Sequence, residues 1–564
     1  MSLQKQAVTT EDLSVHLPIT KPEAKLYISF IYVAFISLLI GGLMGLLQVF
    51  VRSGHLTLPF GINYYQVLTV HGVVLALVLT TYFIIGFQYA LMGKTVGISK
   101  AQRKVAWLGF WVMTIGTVIT AVTILLGRAS VLYTFYAPLQ AHPAFYIGLA
   151  LVVVGSWLAC FVNWRQLYVW KKAHPGEKSP LLAFMVNINM IMWFIASLGV
   201  AATVLIQFIP WSLGYVETIN VLVSRTLFWY FGHPLVYFWL LPAYMAWYVI
   251  IPKIIGGKLF SDSLARLSFI LFLFFSIPVG FHHQLTEPGI DPMWKFIQVV
   301  LTFMVIIPSL MTAFSIFATF EITGRKKGFD SLFGWYKHLP WKDVRFLAPF
   351  IGMLAFIPGG AGGIINASHQ LNTVVHNTIW VTGHFHLTVG TTVILTFFGI
   401  TYWLVPHLTN RKLTPTINKL GIIQSITWTV GMSIMSTAMH IQGLLGGPRR
   451  SAYSTYGGTE QSTEWGAYQL AQAIGGTILF IAIILMVYIF IKLAFFAPQG
   501  EEEFPIAEEE EDATPTPKWM ENWKLWVTIT IALILFAYTI PFIDIIHHSP
   551  PGSPPFDWPI GNSK

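Results

Sequence analysis

The sequence predicts an all-α, polytopic membrane bundle of about thirteen transmembrane helices. Three observations carry that prediction. Of 564 residues, 55% are hydrophobic and only 10% are charged, with a mean hydropathy of +0.65; a soluble protein carries roughly 25% charged residues. Apolar runs of about 20 residues, the length that crosses a bilayer, recur along the chain. Cations gather in alternate connections between those runs, as in a chain threaded back and forth through a membrane.

The elements follow in order. Residues 1–24 form a polar segment with no apolar core for a cleavable signal, and 25–546 form one membrane domain. Its spans are expected at 27–49, 65–92, 105–126, 144–170, 182–210, 222–254, 264–284, 294–320, 346–365, 375–407, 419–445, 467–497 and 520–546. The connection after the second span is basic (Lys100, Arg103, Lys104), as are those after the fourth (Lys171, Lys172, Lys178) and sixth (Lys253, Lys258, Arg266). Those after the eighth (Arg325 to Arg345) and tenth (Arg411, Lys412, Lys419) are basic too, and the alternate loops carry few cations. The positive-inside rule then puts the N-terminus in the cytoplasm and the C-terminus outside. The acidic loop near 498–518, with EEEFPIAEEEEDATPTP inside it, reads as solvated and cytoplasmic, with docking of a partner as the lesser alternative. The tail 547–564, with PPGSPPFDWP, should be extended and extracytoplasmic.

Composition excludes several function classes. The net charge of +9 reads as membrane topology, so no nucleic-acid partner is expected, and lipid is the surrounding medium. A single cysteine, Cys160, excludes an internal disulfide and a CxxC site. Any thiolate-bound metal must belong to a partner.

Histidines carry the chemistry. His384 and His386, in WVTGHFHL, lie inside an apolar run. Two steps along a helix turn about 200°, so the two side chains leave opposite faces of one rod, which can serve two cofactors. With His71, His233, His282 and His283 they make a set of six histidines within spans. The threading places all six at one depth, in the outer part of the membrane. Scattered core histidines have no reason to share a level, and ionisable residues inside a membrane are functional candidates. His233 and Tyr237 are four apart and share a helix face. Pro278 removes a backbone donor ahead of the adjacent pair His282 and His283, which would help both reach one ion. Three imidazoles with an open position suit copper as well as zinc.

LTVHGVV around His71, GHPLVYFW around His233, GFHH at 280–283 and GHFHL at 383–387 resemble the catalytic subunit of a haem–copper terminal oxidase. VLYTFY at 131–136, PGGAGGIINAS at 358–368 and GGPRR at 446–450 extend the resemblance, which covers nearly the whole chain. It implies a low-spin haem, b-type, between His71 and His386. It implies a high-spin haem, a- or o-type, on His384, and one copper ion on His233, His282 and His283, with Tyr237 joined covalently to His233. Many relatives carry glutamate two residues after the first copper histidine; here Leu235 stands there. That departure is similar to the B-type, thermophile-like oxidases, which keep the tyrosine and lack the acid.

Dioxygen reduction at a buried site needs protons. Tyr237, Tyr244 and Tyr248 are seven and four apart, on one face of the sixth span. Ser309, Thr312 and Ser315 give the eighth span a hydroxyl series in the same half, and hydroxyls both donate and accept. Such groups also commonly bond their own helix backbone. The resemblance implies that they form the single proton pathway of B-type enzymes, with Ser261 at its cytoplasmic end. Arg449 and Arg450 follow the eleventh span, where guanidinium forks suit haem propionates, and His376 resembles part of the same region. Asn372 stands where close relatives carry an aspartate.

The expected function is therefore reduction of dioxygen to water coupled to proton translocation, in a bacterial or archaeal plasma membrane. Electrons are expected from cytochrome c, with quinol as the other donor class, through a second subunit carrying a dinuclear copper site. A small single-helix subunit can accompany them. The alternatives are a nitric oxide reductase of the same superfamily, against which Leu235 and Tyr237 argue, and a non-redox membrane transporter, which leaves the histidines unexplained.

Overall fold

The computed structural model describes residues 17–452, 458–510 and 515–548. Almost all regular structure in them is helical. Eleven helices are long and apolar enough to cross a membrane. In chain order they and two intervening helices are α1 Lys21–Arg52, α2 Tyr64–Thr95, α3 Lys100–Leu125, α4 Pro143–Ala173, α5 Leu181–Ser212, α6 Val221–Ile254, α7 Asp262–Ser276, α8 Pro292–Lys326, α9 Val344–Ala367, α10 Ile379–Thr409, α11 Pro415–Leu444, α12 Glu460–Phe496 and α13 Trp523–His548.

The expected count of about thirteen is thus corrected to eleven by length and apolarity. The seventh expected span does not run helically from 264 to 284. Its helix α7 is 15 residues long and ends at Ser276, because Pro278 cannot continue the ladder. The chain re-forms only as a short 3-10 turn, Gly280–Gln284, which carries the adjacent histidines. The eleventh, α11, is 30 residues long, but Gln424, Ser425, Ser436, His440 and Gln442 dilute its apolar content.

Local chemistry starts the helices. Ser99 and Gln102 form a reciprocal cap on α3, each side chain taking the other's backbone N–H at 3.2 and 2.8 Å. Asn63 caps α2 through the Gln66 N–H at 2.8 Å. Prolines open α4 and α8, where the missing N–H costs nothing.

Burial separates centre from rim. Within their most apolar stretches α6 is 89% and α10 83% buried inside the protein, against 28% for α13 and 33% for α8. The two central helices therefore carry the polar chemistry, and the rim helices spend their apolar faces on lipid. Five π-helical turns interrupt the spans. Val73–Leu79 follows His71, Thr388–Val393 follows His386, and Ala246–Ile250 contains Tyr248. Such turns re-aim side chains and cluster at functional sites.

The acidic loop is partly solvated, with Glu503 and Glu508 exposed, but it is also tied down by ion pairs that were not expected. Glu502 holds Arg345 at 3.0 Å and the Leu413 N–H at 3.1 Å. Glu503 pairs with Lys253, Glu508 with Lys258, Glu509 with Lys178 and Glu510 with Lys326, at 3.4, 3.5, 3.1 and 2.5 Å. The loop is strapped over the basic connections, and the Leu259 N–H donates to Glu508 O at 2.7 Å. Each exposed pair contributes little alone, but here several converge on one strand of chain. Behind it Arg266, fully buried, is neutralised by Asp262 at 2.6 Å and Glu521 at 2.7 Å. The expected N-terminal segment lies mostly, and the C-terminal tail almost wholly, outside the described residues.

Candidate functional site

The six histidines singled out in the sequence converge from α2, α6, the 3-10 turn after α7, and α10. His71 and His386 face one another with rings 15° from parallel and centroids 6.2 Å apart. Each has its Nδ1 at 2.8 Å from a backbone carbonyl, of Gly41 and Thr382 respectively. A carbonyl can only accept, so Nδ1 carries the proton and Nε2 is left with a lone pair for a metal. Two metal–nitrogen bonds of about 2.0 Å and two imidazole half-widths fill such a separation. Gly45 makes room for the arrangement: a Cβ there would sit 2.8 Å from the His71 ring.

A cavity of about 270 Å³ opens around this pair, bounded by Tyr133, Met432, Arg449 and Arg450 among others. Its walls are mostly apolar, with the histidines, a cationic end and a few neutral polar side chains such as Gln48, Thr382 and Gln472, a composition that suits a flat, apolar macrocycle with acidic substituents. Arg449 donates to Asn377 Oδ1 at 3.0 Å, while its Nε and Arg450 Nη2 are buried without a hydrogen-bond partner among the described residues. Arg450 lies over the Tyr133 and Tyr136 rings at 5.7 and 5.4 Å. Burial, with Arg450 beside it, pushes the Arg449 guanidinium down to about 10, so an anionic ligand would relieve both. His376 Nδ1 lies 3.1 Å from Asn372 Oδ1, and the Asn372 amide donates to Asn366 O at 2.7 Å.

On the other side of α10, His233, His282 and His283 place one ligand nitrogen each within 4.8 Å of the others. His233 Nδ1 is 3.1 Å from His283 Nε2, and His233 Nε2 is buried with no partner among the described residues. His282 is oriented by Val279 O at 2.5 Å and Thr302 Oγ1 at 3.0 Å from its Nδ1. His283 stacks on Trp229 at 3.8 Å and 8°. Three imidazoles, two buried and His283 half-buried, form a soft-to-borderline nitrogen set suited to copper or zinc. Tyr237 sits against His233, ring centroids 5.0 Å apart. His384 stacks on Trp380 at 5.9 Å and 13°, and its ring is seated on Gly362, where a Cβ would lie 2.7 Å from Nδ1.

A hydroxyl track descends from Tyr237. Tyr244 lies between Tyr237 and Tyr248 and faces Ser309. The Tyr248 hydroxyl is 3.2 Å from Ser268 Oγ and 3.0 Å from Thr312 Oγ1. Ser315 is fully buried with its hydroxyl unpaired. Ser309 and Thr312 also donate to their own helix, at Val305 O and Pro308 O, 3.1 and 2.8 Å away, so the backbone-bonding reading holds for those two protons. Ser261 caps α7 through the Leu264 N–H at 3.2 Å and stands beside Phe260, whose N–H donates to Thr319 Oγ1 at 3.3 Å.

Sequence reasoning missed three residues. Ser268 is seven after Ser261 on α7, a same-face spacing that would have found it. Thr319 continues the Thr312–Ser315 face in the same way. His440 on α11 lies against Gly383 and meets Trp380 edge-on at 5.0 Å; its span was expected, but its histidine was passed over.

Comparison with known proteins fits this geometry. The family model "Cytochrome C and Quinol oxidase polypeptide I" matches residues 25–478. Cytochrome c oxidase subunit 1 of Thermus thermophilus is 40% identical over 94% of this chain and 96% of that protein. That of Bacillus subtilis is 26% identical over 75% of this chain and 66% of its own length. A haem–copper terminal oxidase dimer solved by cryo-EM superposes with a TM-score of 0.90 and 39% identity, over 96% of this chain and 97% of that one. These matches support neither the nitric oxide reductase nor the transporter alternative. The family brings haem and copper as resident groups, and the donor sets above fit both. The chain belongs to the cytochrome c and quinol oxidase polypeptide I family: it is the catalytic subunit of a haem–copper terminal oxidase, a multi-pass plasma-membrane oxidoreductase that works with other subunits.

Proposed function

We propose that His71 and His386 hold a low-spin b-type haem, that His384 holds a high-spin a- or o-type haem, and that His233, His282 and His283 hold the single copper. The observation that carries the assignment is that α10 turns His386 toward His71, while His384, two residues earlier, sits on Gly362 within electrostatic reach of His282 and His283. When bound, these groups supply the electron transfer and dioxygen chemistry. Arg449 and Arg450 neutralise the haem propionates, with His376 and Asn377 beside them. Because Asn372 cannot titrate, holding a pumped proton would fall to His376 or to an acidic substituent of the haem bound beside it.

Tyr237 provides a hydroxyl at the copper ligand His233, and its covalent link to that ring would fix it there. Protons reach it along Ser261, Ser315, Thr312, Tyr248, Ser309 and Tyr244. Leu235, where other oxidases place an acid, supports a B-type enzyme with this one track. The basic loops support a cytoplasmic N-terminus and an extracytoplasmic C-terminus. Electrons come from cytochrome c through a partner subunit carrying a dinuclear copper site, since Cys160 alone cannot build one here; a small single-helix subunit completes the assembly.

The test is His71→Ala. The variant should lose the six-coordinate haem signal while the haem on His384 still binds carbon monoxide. Loss of carbon monoxide binding with the six-coordinate signal intact would refute the pairing.

A further inference from the structure

The break between α7 and the 3-10 turn raises an accounting question. Inside a bilayer every backbone polar group needs a partner within the protein. Pro278 and the end of α7 at Ser276 leave the N–H groups of Gly280 and Phe281 without helical acceptors. Both find them on distant elements. The Gly280 N–H donates to the Tyr538 hydroxyl at 2.9 Å, and that hydroxyl lies 3.4 Å from Ile277 O, so one oxygen spans the break. The Phe281 N–H donates to Gln298 Oε1 at 2.8 Å, and the Gln298 amide donates to Ala537 O at 3.0 Å. Tyr538 and Ala537 belong to α13, and Gln298 to α8.

The arrangement is tight. Gln298 and Ala537 are fully buried and Tyr538 is 4% exposed. A Cβ on Gly280 would lie 2.6 Å from the Tyr538 hydroxyl and 2.8 Å from Trp229 O, so only glycine lets the turn reach both. The Tyr538 ring packs edge-on against Phe281 at 5.5 Å. The next two residues are His282 and His283. Their backbone is thereby anchored to the last of the described helices, although α13 is the least buried of the eleven apolar spans and contributes no ligand.

We propose that Tyr538 and Gln298 are positioning residues for the metal triad, and that α13 acts as the buttress of the His282–His283 turn. The inference rests on the assignment of copper to His233, His282 and His283. Groups that orient metal ligands without touching the metal typically change affinity roughly 10- to 100-fold when removed.

The experiment uses the intact membrane complex. Tyr538→Phe keeps the ring and its packing but removes the hydroxyl; Gln298→Leu independently removes the second bridge. Thr530→Val is the control, deleting a buried α13 hydroxyl that bonds only its own helix, at Trp526 O, 2.8 Å. Copper is followed during dialysis against a chelator, and the copper–nitrogen shell by X-ray absorption, with the low-spin haem spectrum as the monitor of folding. Tyr538→Phe and Gln298→Leu should each release copper about tenfold or more faster than wild type with a disordered nitrogen shell, an unchanged low-spin haem, and a control that behaves as wild type. Copper retention and shell matching wild type in either variant would overturn the proposal. Joint loss of copper and low-spin haem would do so as well, because it marks general collapse. A wild-type protein without copper would refute the underlying metal assignment instead.

Discussion

Thr312→Val tests the single-track reading through one oxygen atom. Valine conserves the shape of threonine closely, and Thr312 is 1% exposed, so packing on α8 should survive. Two hydrogen bonds go with the hydroxyl. The one to Pro308 O, at 2.8 Å, is to the helix's own backbone, and that carbonyl keeps its helical role. The other is the contact with Tyr248 at 3.0 Å, which leaves Tyr248 with Ser268 alone at 3.2 Å. A hydrogen bond lost from a buried network costs on the order of 1–3 kcal/mol, and each 1.4 kcal/mol in a barrier is about tenfold in rate. Because Ser268 remains, the single variant belongs at the lower end, with proton uptake slowed about tenfold. Ser268→Ala combined with Thr312→Val removes both partners and should approach a hundredfold, as should Tyr248→Phe. The assay is flash-initiated proton uptake with parallel oxygen consumption, in preparations whose haem spectra match wild type. Wild-type uptake in Thr312→Val and Tyr248→Phe would refute the reasoning and require another route for protons.

Two other variants probe the metal side. Tyr237→Phe should retain both haems yet nearly abolish turnover, and a peptide map of the unmodified protein should show the 233–237 segment carrying a cross-link; wild-type turnover would remove Tyr237 from the mechanism. Gly362→Ala puts a Cβ 2.7 Å from His384 Nδ1, so it should displace the high-spin haem and carbon monoxide binding while the six-coordinate spectrum persists; unaltered carbon monoxide binding would show that Gly362 does not seat that ring.

Much of this was legible in the sequence, for identifiable reasons. Threading by apolar runs and cationic loops needs only one-dimensional information, and it brought six histidines to one level before any coordinates. The exception was α7, where Pro278 marked the weak point but could not say that the helix stops at Ser276. His384 and His386 were legible because helical geometry alone sends neighbours two apart to opposite faces. Ser268 was harder to read, because a lone serine seven residues after Ser261 does not by itself show that it meets Tyr248 on a different helix.

Tyr538 and Gln298 were not legible at all. Their role is to satisfy backbone groups of Gly280 and Phe281, and nothing in a tyrosine on a lipid-facing helix announces a partner 258 residues away. The ion pairing of the acidic loop was illegible for a similar reason. Glu502 and Glu510 find their cations on the connection after α8, Glu508 on that after α6 and Glu509 on that after α4, and those connections come together only in the folded bundle.

The central claim is that this chain is built around three metal-binding positions, two for haem iron and one for copper. Pyridine-haemochrome and metal analysis of protein purified from haem-replete cells tests it most directly. The account predicts two haems and one copper per chain, with one haem six-coordinate and the other open to carbon monoxide. A colourless, copper-free preparation would contradict it.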